Sequence, residues 1–179
     1  MKKKTDSGRI NIQKTAVYGV LAALALALSY LESQLPAFFP IPGMKLGLTN
    51  IIVVLALYKT GGKSAMAMNV LRIVMASVLF GGPSALLYSL AGGMLSTAVM
   101  IILKRTGAFR VVTVSIAGGV AHNIGQIIVA VLVTNTVSVA WYLALLWFTG
   151  MASGALIGII GSELIRRLPD SLFEGKKKE

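Results

Sequence analysis

The sequence predicts an all-α integral membrane protein with six transmembrane helices. Of its 179 residues, 56% are hydrophobic and only 13% charged, whereas about a quarter of a soluble domain is charged. The apolar residues form runs near the length of about 20 residues that crosses a bilayer. The 17 basic residues flank these runs instead of striping a surface, so the net charge of +11 does not indicate nucleic-acid binding.

The six apolar runs have recognisable boundaries. Pro36 closes the first run, which we predict to be a retained helix because five further runs follow, unlike a cleaved signal peptide. The second run is short and follows the segment LPAFFPIPGM, and the third ends at GGP, where glycine and proline interrupt a helix. The predicted helices are residues 15–35, 45–58, 64–80, 84–103, 111–134 and 139–165.

The basic residues predict the orientation through the positive-inside rule. Six spans place both termini on one side, and that side holds fifteen of the seventeen basic residues, while the other side keeps only Lys45. We therefore predict a multi-pass protein of the cell membrane with cytoplasmic termini. Its predicted parts are a basic N-terminus at residues 1–14, a membrane domain at 15–165 and a basic tail at 166–179.

Small residues recur at four-residue spacing on two predicted helices. Such ridges allow close helix approach in lipid. On the sixth helix we interpret the ridge as packing inside the bundle, but on the first helix alanine is common and a chance match stays open. The two ridges are Gly19, Ala23 and Ala27 on the first helix, and Gly150, Gly154, Gly158 and Ser162 on the sixth.

Arg72 lies about eight residues into the third predicted helix. An arginine at mid-membrane costs about 2.5–3.5 kcal/mol, so its side chain should face the bundle interior or water. One interpretation is an internal pair with Glu32, the only carboxylate at membrane level. The other is a clamp for a carboxylate or phosphate group of a substrate. Both hold if Glu32 releases Arg72 when substrate arrives.

The fifth predicted helix carries His122, Asn123 and Gln126 within two turns. His122 and Gln126 share a face with Gly118, and Asn123 lies at its flank. A lone polar residue usually makes an interhelical hydrogen bond, but three of them beside a glycine favour a binding pocket. One histidine without a neighbouring carboxylate or second histidine is a poor metal site, so we predict no metal and no cofactor.

Three further residues extend this candidate pocket towards the outer side. Lys45 lies at the mouth of the second helix, Asn50 lies within it, and Tyr88 lies near the outer end of the fourth. Interfacial anchoring explains Tyr88 equally well. Together these positions predict a pocket that opens to the outside. The residues that we interpret as ordinary cytoplasmic flanks are Lys59, Lys63 and Arg110.

The segments AVYGVLAALALALSYLES and KLGLTNIIVVLAL are separated by the proline-rich loop. In this order they resemble the substrate-binding S components of energy-coupling factor transporters. Within these, residues 10–168 resemble the Gx family, often labelled heptaprenyl diphosphate synthase component I. The resemblance implies a six-helix bundle of the S-component type with cytoplasmic termini. It also implies capture of a small vitamin- or isoprenoid-precursor-like molecule from outside.

The resemblance implies partners as well. Ala23 and Ala27, extended by Gly19, would dock on a transmembrane T component driven by a pair of ATPase subunits, and residues 35–44 would form a lid. The chain has no Walker A sequence, so we expect ATP hydrolysis in those partners. The expected substrate-binding residues are Arg72, His122, Asn123, Gln126, Asn50, Lys45, Tyr88 and Glu32.

An intramembrane prenyl synthase is the main enzymatic alternative. Prenyl diphosphate chemistry normally uses Asp-rich motifs to hold Mg²⁺, which prefers carboxylate oxygens and water. This chain has six acidic residues and no DDxxD pattern, so we expect that it is not an enzyme. The remaining alternative is a non-catalytic membrane subunit associated with heptaprenyl diphosphate or menaquinone synthesis, or with a membrane redox complex.

Overall fold

The computed structural model describes residues 12–34 and 47–173. These residues form helices and no β-strand, as the sequence predicts. A π-helical turn (Ser77–Gly81) follows the third helix, and 3-10 turns (Val137–Trp141 and Asp170–Leu172) flank the last. The α-helices are α1 (Ile12–Gln34), α2 (Asn50–Lys59), α3 (Gly62–Ala76), α4 (Gly82–Thr106), α5 (Val111–Thr134) and α6 (Tyr142–Arg167).

The outer surface of the bundle is apolar. Val20, Ile102 and Phe148 are 60–67% exposed, and such a surface is unfavourable in water but suits lipid. A helix also satisfies its own backbone hydrogen bonds in lipid. The chain is therefore a multi-pass membrane protein. The stretches long and apolar enough to cross a membrane are Lys14–Gln34, Gly62–Thr106, Val111–Thr134 and Val137–Arg167.

The 45-residue stretch that contains α3 and α4 is a helical hairpin. Gly62 lies against Ile101, and Asn69 lies against Gly93, so the two arms run in opposite directions. The chain reverses at Gly82, where φ is +81°, a conformation that glycine adopts without steric cost. The arms, with 20 and 25 residues, are roughly 30 and 37 Å long. Each is long enough to cross the hydrocarbon core.

α2 is the central helix of the bundle. Seven consecutive residues, Ile51 to Leu57, are buried, and α1, α3 and α6 surround them. A helix that is hydrophobic all round is a buried helix. With ten residues, α2 is about 15 Å long and shorter than a transmembrane span. Six separate membrane spans and cytoplasmic termini therefore stay predictions. The fold establishes four apolar stretches that are long enough to cross a membrane.

The fifth helix has the bounds that the sequence predicts. The second helix is the one whose first residue differs most from its predicted position. We expected it to begin at residue 45, with Asn50 a turn and a half inside. It begins at Asn50 instead. Gly47 has φ +72°, outside the helical region, so the helix starts after it. Residues 35–46 lie outside the described part of the chain.

The glycine ridge of α6 packs against α5. A Cβ added at Gly154 would lie 2.7 Å from the Cα of Ile116, and a Cβ added at Gly150 would lie 2.9 Å from the carbonyl oxygen of Gly119. The two backbones approach so closely that no side chain fits between them. The three glycines of the sixth-helix ridge thus pack inside the bundle, as their spacing predicts. Ser162, the fourth predicted member, is only partly buried.

Gly154→Ala should lower the stability of the protein in detergent by about 1–3 kcal/mol, the usual cost of overpacking. The added methyl group would meet backbone atoms of α5, which cannot move aside alone. The matched control is Gly19→Ala on α1, where an added Cβ meets no atom within 4 Å. Thermal unfolding of both variants tests this packing, and equal melting temperatures would contradict it.

Two lysine side chains connect the C-terminal end of α2 to neighbouring parts of the bundle through hydrogen bonds and an ion pair. The Nζ of Lys59 donates to the carbonyl oxygen of Leu168 at 2.7 Å and pairs with Asp170 at 2.6 Å. The Nζ of Lys104 donates to the carbonyl oxygen of Leu57 at 2.6 Å. Cations are favourable at a helix C-terminus. Lys59 is therefore a structural residue and more than the ordinary flank that the charge pattern indicated.

Candidate substrate-binding site

Arg72 belongs to a hydrogen-bonded cluster between α3 and α4. Its Nη2 donates to the Oδ1 of Asn69 at 2.5 Å. Asn69 is only 1% exposed, and its Nδ2 donates to the carbonyl oxygen of Gly93 at 3.0 Å and to the Thr97 hydroxyl at 2.8 Å. The Nε of Arg72 is buried and has no hydrogen-bond partner among the described residues. The guanidinium is thus fixed on one side and keeps a free donor.

Asn69 and Thr97 are polar residues of this cluster that sequence reasoning missed. Asn69 precedes Arg72 by three residues, so both side chains lie on one face of α3. This spacing was a usable signal for Asn69. Thr97 had no comparable signal, because only the α3–α4 hairpin brings it within hydrogen-bonding distance of Asn69.

Glu32 contacts the start of α2 and not Arg72. Its carboxylate accepts hydrogen bonds from the backbone N–H of Gly47 and, at 3.4 Å, from the Thr49 hydroxyl. The ion pairs of the described residues involve other side chains. The charge of Glu32 still acts on Arg72 at longer range. The direct pair that the sequence left open is therefore not formed, and the guanidinium is not occupied by this carboxylate.

His122 and Gln126 lie together against α4. A Cβ added at Gly92 would lie 3.1 Å from the Cε1 of His122 and 3.1 Å from the Cγ of Gln126. Gln126 is 5% exposed, and its Oε1 is buried without a hydrogen-bond partner in the described part of the chain. The two residues share a helix face, as their spacing predicts. Gly92 leaves the room that brings both side chains against the α4 backbone.

Asn123 faces α6 instead. Its Nδ2 donates to the carbonyl oxygen of Leu146 at 2.5 Å and lies beside Gly150. Hydrogen bonds of this kind hold transmembrane helices together. The three polar residues of the fifth helix thus divide into two that face α4 and one that joins α5 to α6. Binding of substrate by Asn123 stays a prediction, but its hydrogen bond gives it a structural role.

Two adjacent glycines place α4 between two groups of polar side chains, which together we call the polar cluster. One group is Arg72, Asn69 and Thr97, and the other is His122 and Gln126. Gly92 faces Gln126 on α5, and a Cβ added to Gly93 would lie 3.1 Å from the Nδ2 of Asn69 on α3. Arg72 and Gln126 therefore lie at a similar level on neighbouring interfaces of one helix. A ligand that reached both would have to enter beside α4.

A small cavity lies between α2, α4, α5 and α6. Its volume is about 10 Å³, which is room for about one water molecule. Asn50 is the predicted site residue that lines it, whereas Arg72, His122 and Gln126 lie elsewhere. The remaining lining residues are Val54, Ser96, Met100, Ser115, Gly118, Gly119, Gly154 and Ile157.

The structure does not test the binding roles that were predicted for Tyr88 and Lys45. Tyr88 is partly buried on α4, about one turn from Gly92. Lys45 and the proposed lid at residues 35–44 lie outside the described residues. In the part of the chain that is described, no group of three or more His, Asp or Glu side chains is arranged to hold a metal ion.

The small residues of α1 form an exposed ridge. Gly19, Ala23 and Ala27 are all exposed, whereas Leu21 and Ala25 on the opposite face are buried in the core. An added Cβ at Gly19 would meet no neighbouring atom within 4 Å. Unlike the α6 ridge, this one does not serve packing inside the bundle. It is available to lipid or to a helix of another protein.

Comparison with known proteins identifies the family. The family model described as heptaprenyl diphosphate synthase component I matches residues 21–164, about four-fifths of the chain. Neither a curated protein nor a solved structure matches. The matched range runs from within α1 to near the end of α6 and includes the polar cluster. The chain therefore belongs to the heptaprenyl diphosphate synthase component I family, the Gx family that its sequence resembles.

Proposed function

We propose that the protein is the membrane-embedded substrate-binding (S) component of an energy-coupling factor type importer. It captures a small vitamin- or isoprenoid-precursor-like molecule on the outer side of the cell membrane. A T component and a pair of ATPase subunits supply the energy for release. The proposal includes a bundle of six membrane helices with cytoplasmic termini.

The observation that carries this proposal is the incompletely paired polar cluster inside an apolar bundle. Within residues 12–34 and 47–173, the Nε of Arg72 and the Oε1 of Gln126 are buried and find no hydrogen-bond partner, although most buried polar atoms have one. An ionisable residue within a membrane span usually marks a functional site. A carboxylate or phosphate group of a ligand would accept from Arg72, and a ligand N–H or O–H would donate to Gln126.

Binding requires the bundle to open. The central cavity of about 10 Å³ is far below the roughly 300–1,000 Å³ of a small-molecule pocket. We place the opening at the outer ends of α1 and α3. There α3 passes into the π-helical turn Ser77–Gly81, a feature that is frequent at functional sites. The contacts of Glu32 with Gly47 and Thr49 tie α1 to α2 at this end, and they would break or shift as substrate enters.

The exposed ridge of α1 supports the partner part of the proposal. Small residues permit close packing of helices in lipid, yet no helix of this chain covers Gly19 in the described structure. The glycine ridge of α6, by contrast, is already covered by another helix of the same chain, because α5 packs directly on it. A T-component helix is the occupant that we propose for the α1 ridge.

The family description favours a second candidate, a non-catalytic membrane subunit associated with heptaprenyl diphosphate synthesis. In this role the apolar bundle would hold a soluble synthase at the bilayer, close to its hydrophobic product. The unpaired donor of Arg72 would then contact a diphosphate group. The two candidates share a ligand with an anionic head and differ in their protein partners.

Affinity purification of the tagged protein in mild detergent separates the candidates. We expect a T component and two ATPase subunits to co-purify, together with a small molecule detectable by mass spectrometry. Arg72→Ala should lose the small molecule and keep the protein partners. A soluble prenyl synthase without ATPases would support the second candidate, and flavoproteins would indicate a redox complex.

A further inference from the structure

An open groove lies between the beginning of α3 and the end of α4. Its volume is about 400 Å³, far larger than that of the central cavity. Basic side chains from Lys63 and Arg105 line it together with the apolar side chains of Met66, Ala67 and Ile101. Because α3 and α4 form a hairpin, both basic residues lie at the same end of the bundle.

The two basic residues of the groove have no acidic partner among the residues that the structure describes. Lys63 and Arg105 are exposed, and neither takes part in an ion pair of the described residues. By contrast, Arg166 and Arg167 at the end of α6 both pair with Glu163. The groove thus combines two cations that lack an acidic partner in the described structure with an apolar wall formed by residues of the membrane-crossing hairpin.

We propose that this groove binds an anionic phospholipid. The phosphate group lies between Lys63 and Arg105, and an acyl chain follows Met66, Ala67 and Ile101. Ammonium and guanidinium groups are the usual phosphate partners, and basic pockets between membrane helices suit acidic headgroups. Free phosphate would contact the two cations but not the apolar wall. A lipid would contact both, and it therefore fits the whole groove better than free phosphate.

Native mass spectrometry of the protein from nanodiscs that mix phosphatidylglycerol with phosphatidylcholine tests the proposal. We expect Lys63→Gln with Arg105→Gln to reduce the retained phosphatidylglycerol by about twenty-fivefold, near fivefold for each charge. Arg166→Gln with Arg167→Gln removes the same net charge from paired side chains and should change retention less than twofold. Equal losses in the two double variants would show only general surface attraction and would overturn the proposal.

Ala67→Trp tests the acyl-chain part of the groove without changing charge. Ala67 is exposed, so the indole fills the groove and leaves the core intact, as an unchanged melting temperature would show. We expect phosphatidylglycerol retention to fall at least severalfold, and excess inorganic phosphate not to displace the lipid from the unmodified protein. Normal retention by Ala67→Trp would refute an acyl-chain site. Cross-links from Lys63 to a partner subunit, with no lipid in the complex, would make the groove a subunit contact and refute the proposal.

Discussion

Replacing Ala23 and Ala27 together by tryptophan should abolish uptake of the substrate by cells that carry the proposed importer, while the isolated protein should bind substrate almost normally. Both side chains lie on the exposed ridge of α1, so the indoles do not disturb the core. They prevent the close backbone approach that small residues allow. The expected loss of uptake is essentially complete because the energising subunits no longer dock.

The control for this experiment places the same bulk elsewhere on the lipid-facing surface. Leu156 and Ile159 on α6 are 52% and 58% exposed, so Leu156→Trp with Ile159→Trp should leave uptake near normal. Co-purification of the T component provides a second measurement. Undiminished transport by the Ala23→Trp, Ala27→Trp variant would show that the α1 ridge is not the docking surface.

If Arg72 binds the substrate as proposed, Arg72→Ala should weaken substrate affinity about ten- to a hundredfold. A hydrogen bond to a charged group contributes about 1.5–3 kcal/mol, against about 0.5–1.5 kcal/mol for a neutral one. Gln126→Ala should therefore be milder, with a loss of about two- to tenfold. Isothermal titration with the identified substrate, corrected for the folded fraction, measures both affinities.

Gly154→Ala is the control for a purely structural effect. Its added methyl group meets backbone atoms of α5, so it should lower the melting temperature and leave the affinity per folded molecule nearly unchanged. If Arg72→Ala behaves in the same way, with lower stability and normal affinity per folded molecule, the cluster around Asn69 serves helix packing and is not a binding site.

Length and hydropathy were sufficient to predict the long helices. Helix α5 has its predicted bounds, because it is a single apolar run between polar residues. The periodicity of the glycines also predicted the buried face of α6. These features depend only on local sequence. A helix of ten residues such as α2 is different, because its limits depend on Gly47 and on the neighbours that enclose it.

The partners of the polar side chains were harder to predict. Helical spacing gives the face on which His122, Asn123 and Gln126 lie, but not the helix that each face meets. Asn123 bonds to α6, and the other two pack on Gly92 of α4. Likewise the pairing of Arg72 with Glu32 was plausible by elimination, yet an uncharged neighbour, Asn69, takes that position. Tertiary contacts decide such pairings, and a single sequence does not contain them.

The short, enclosed α2 has a consequence for biosynthesis. A ten-residue helix does not cover the roughly 30 Å of hydrocarbon that an independently inserted span must cross. Its neighbours include α6, which leaves the ribosome after the other five described α-helices. The second helix thus lacks part of its final surroundings until translation has passed α6. Nascent chains truncated before α6 should accordingly be recognised by membrane quality-control proteases, although α1 to α5 have already been synthesised.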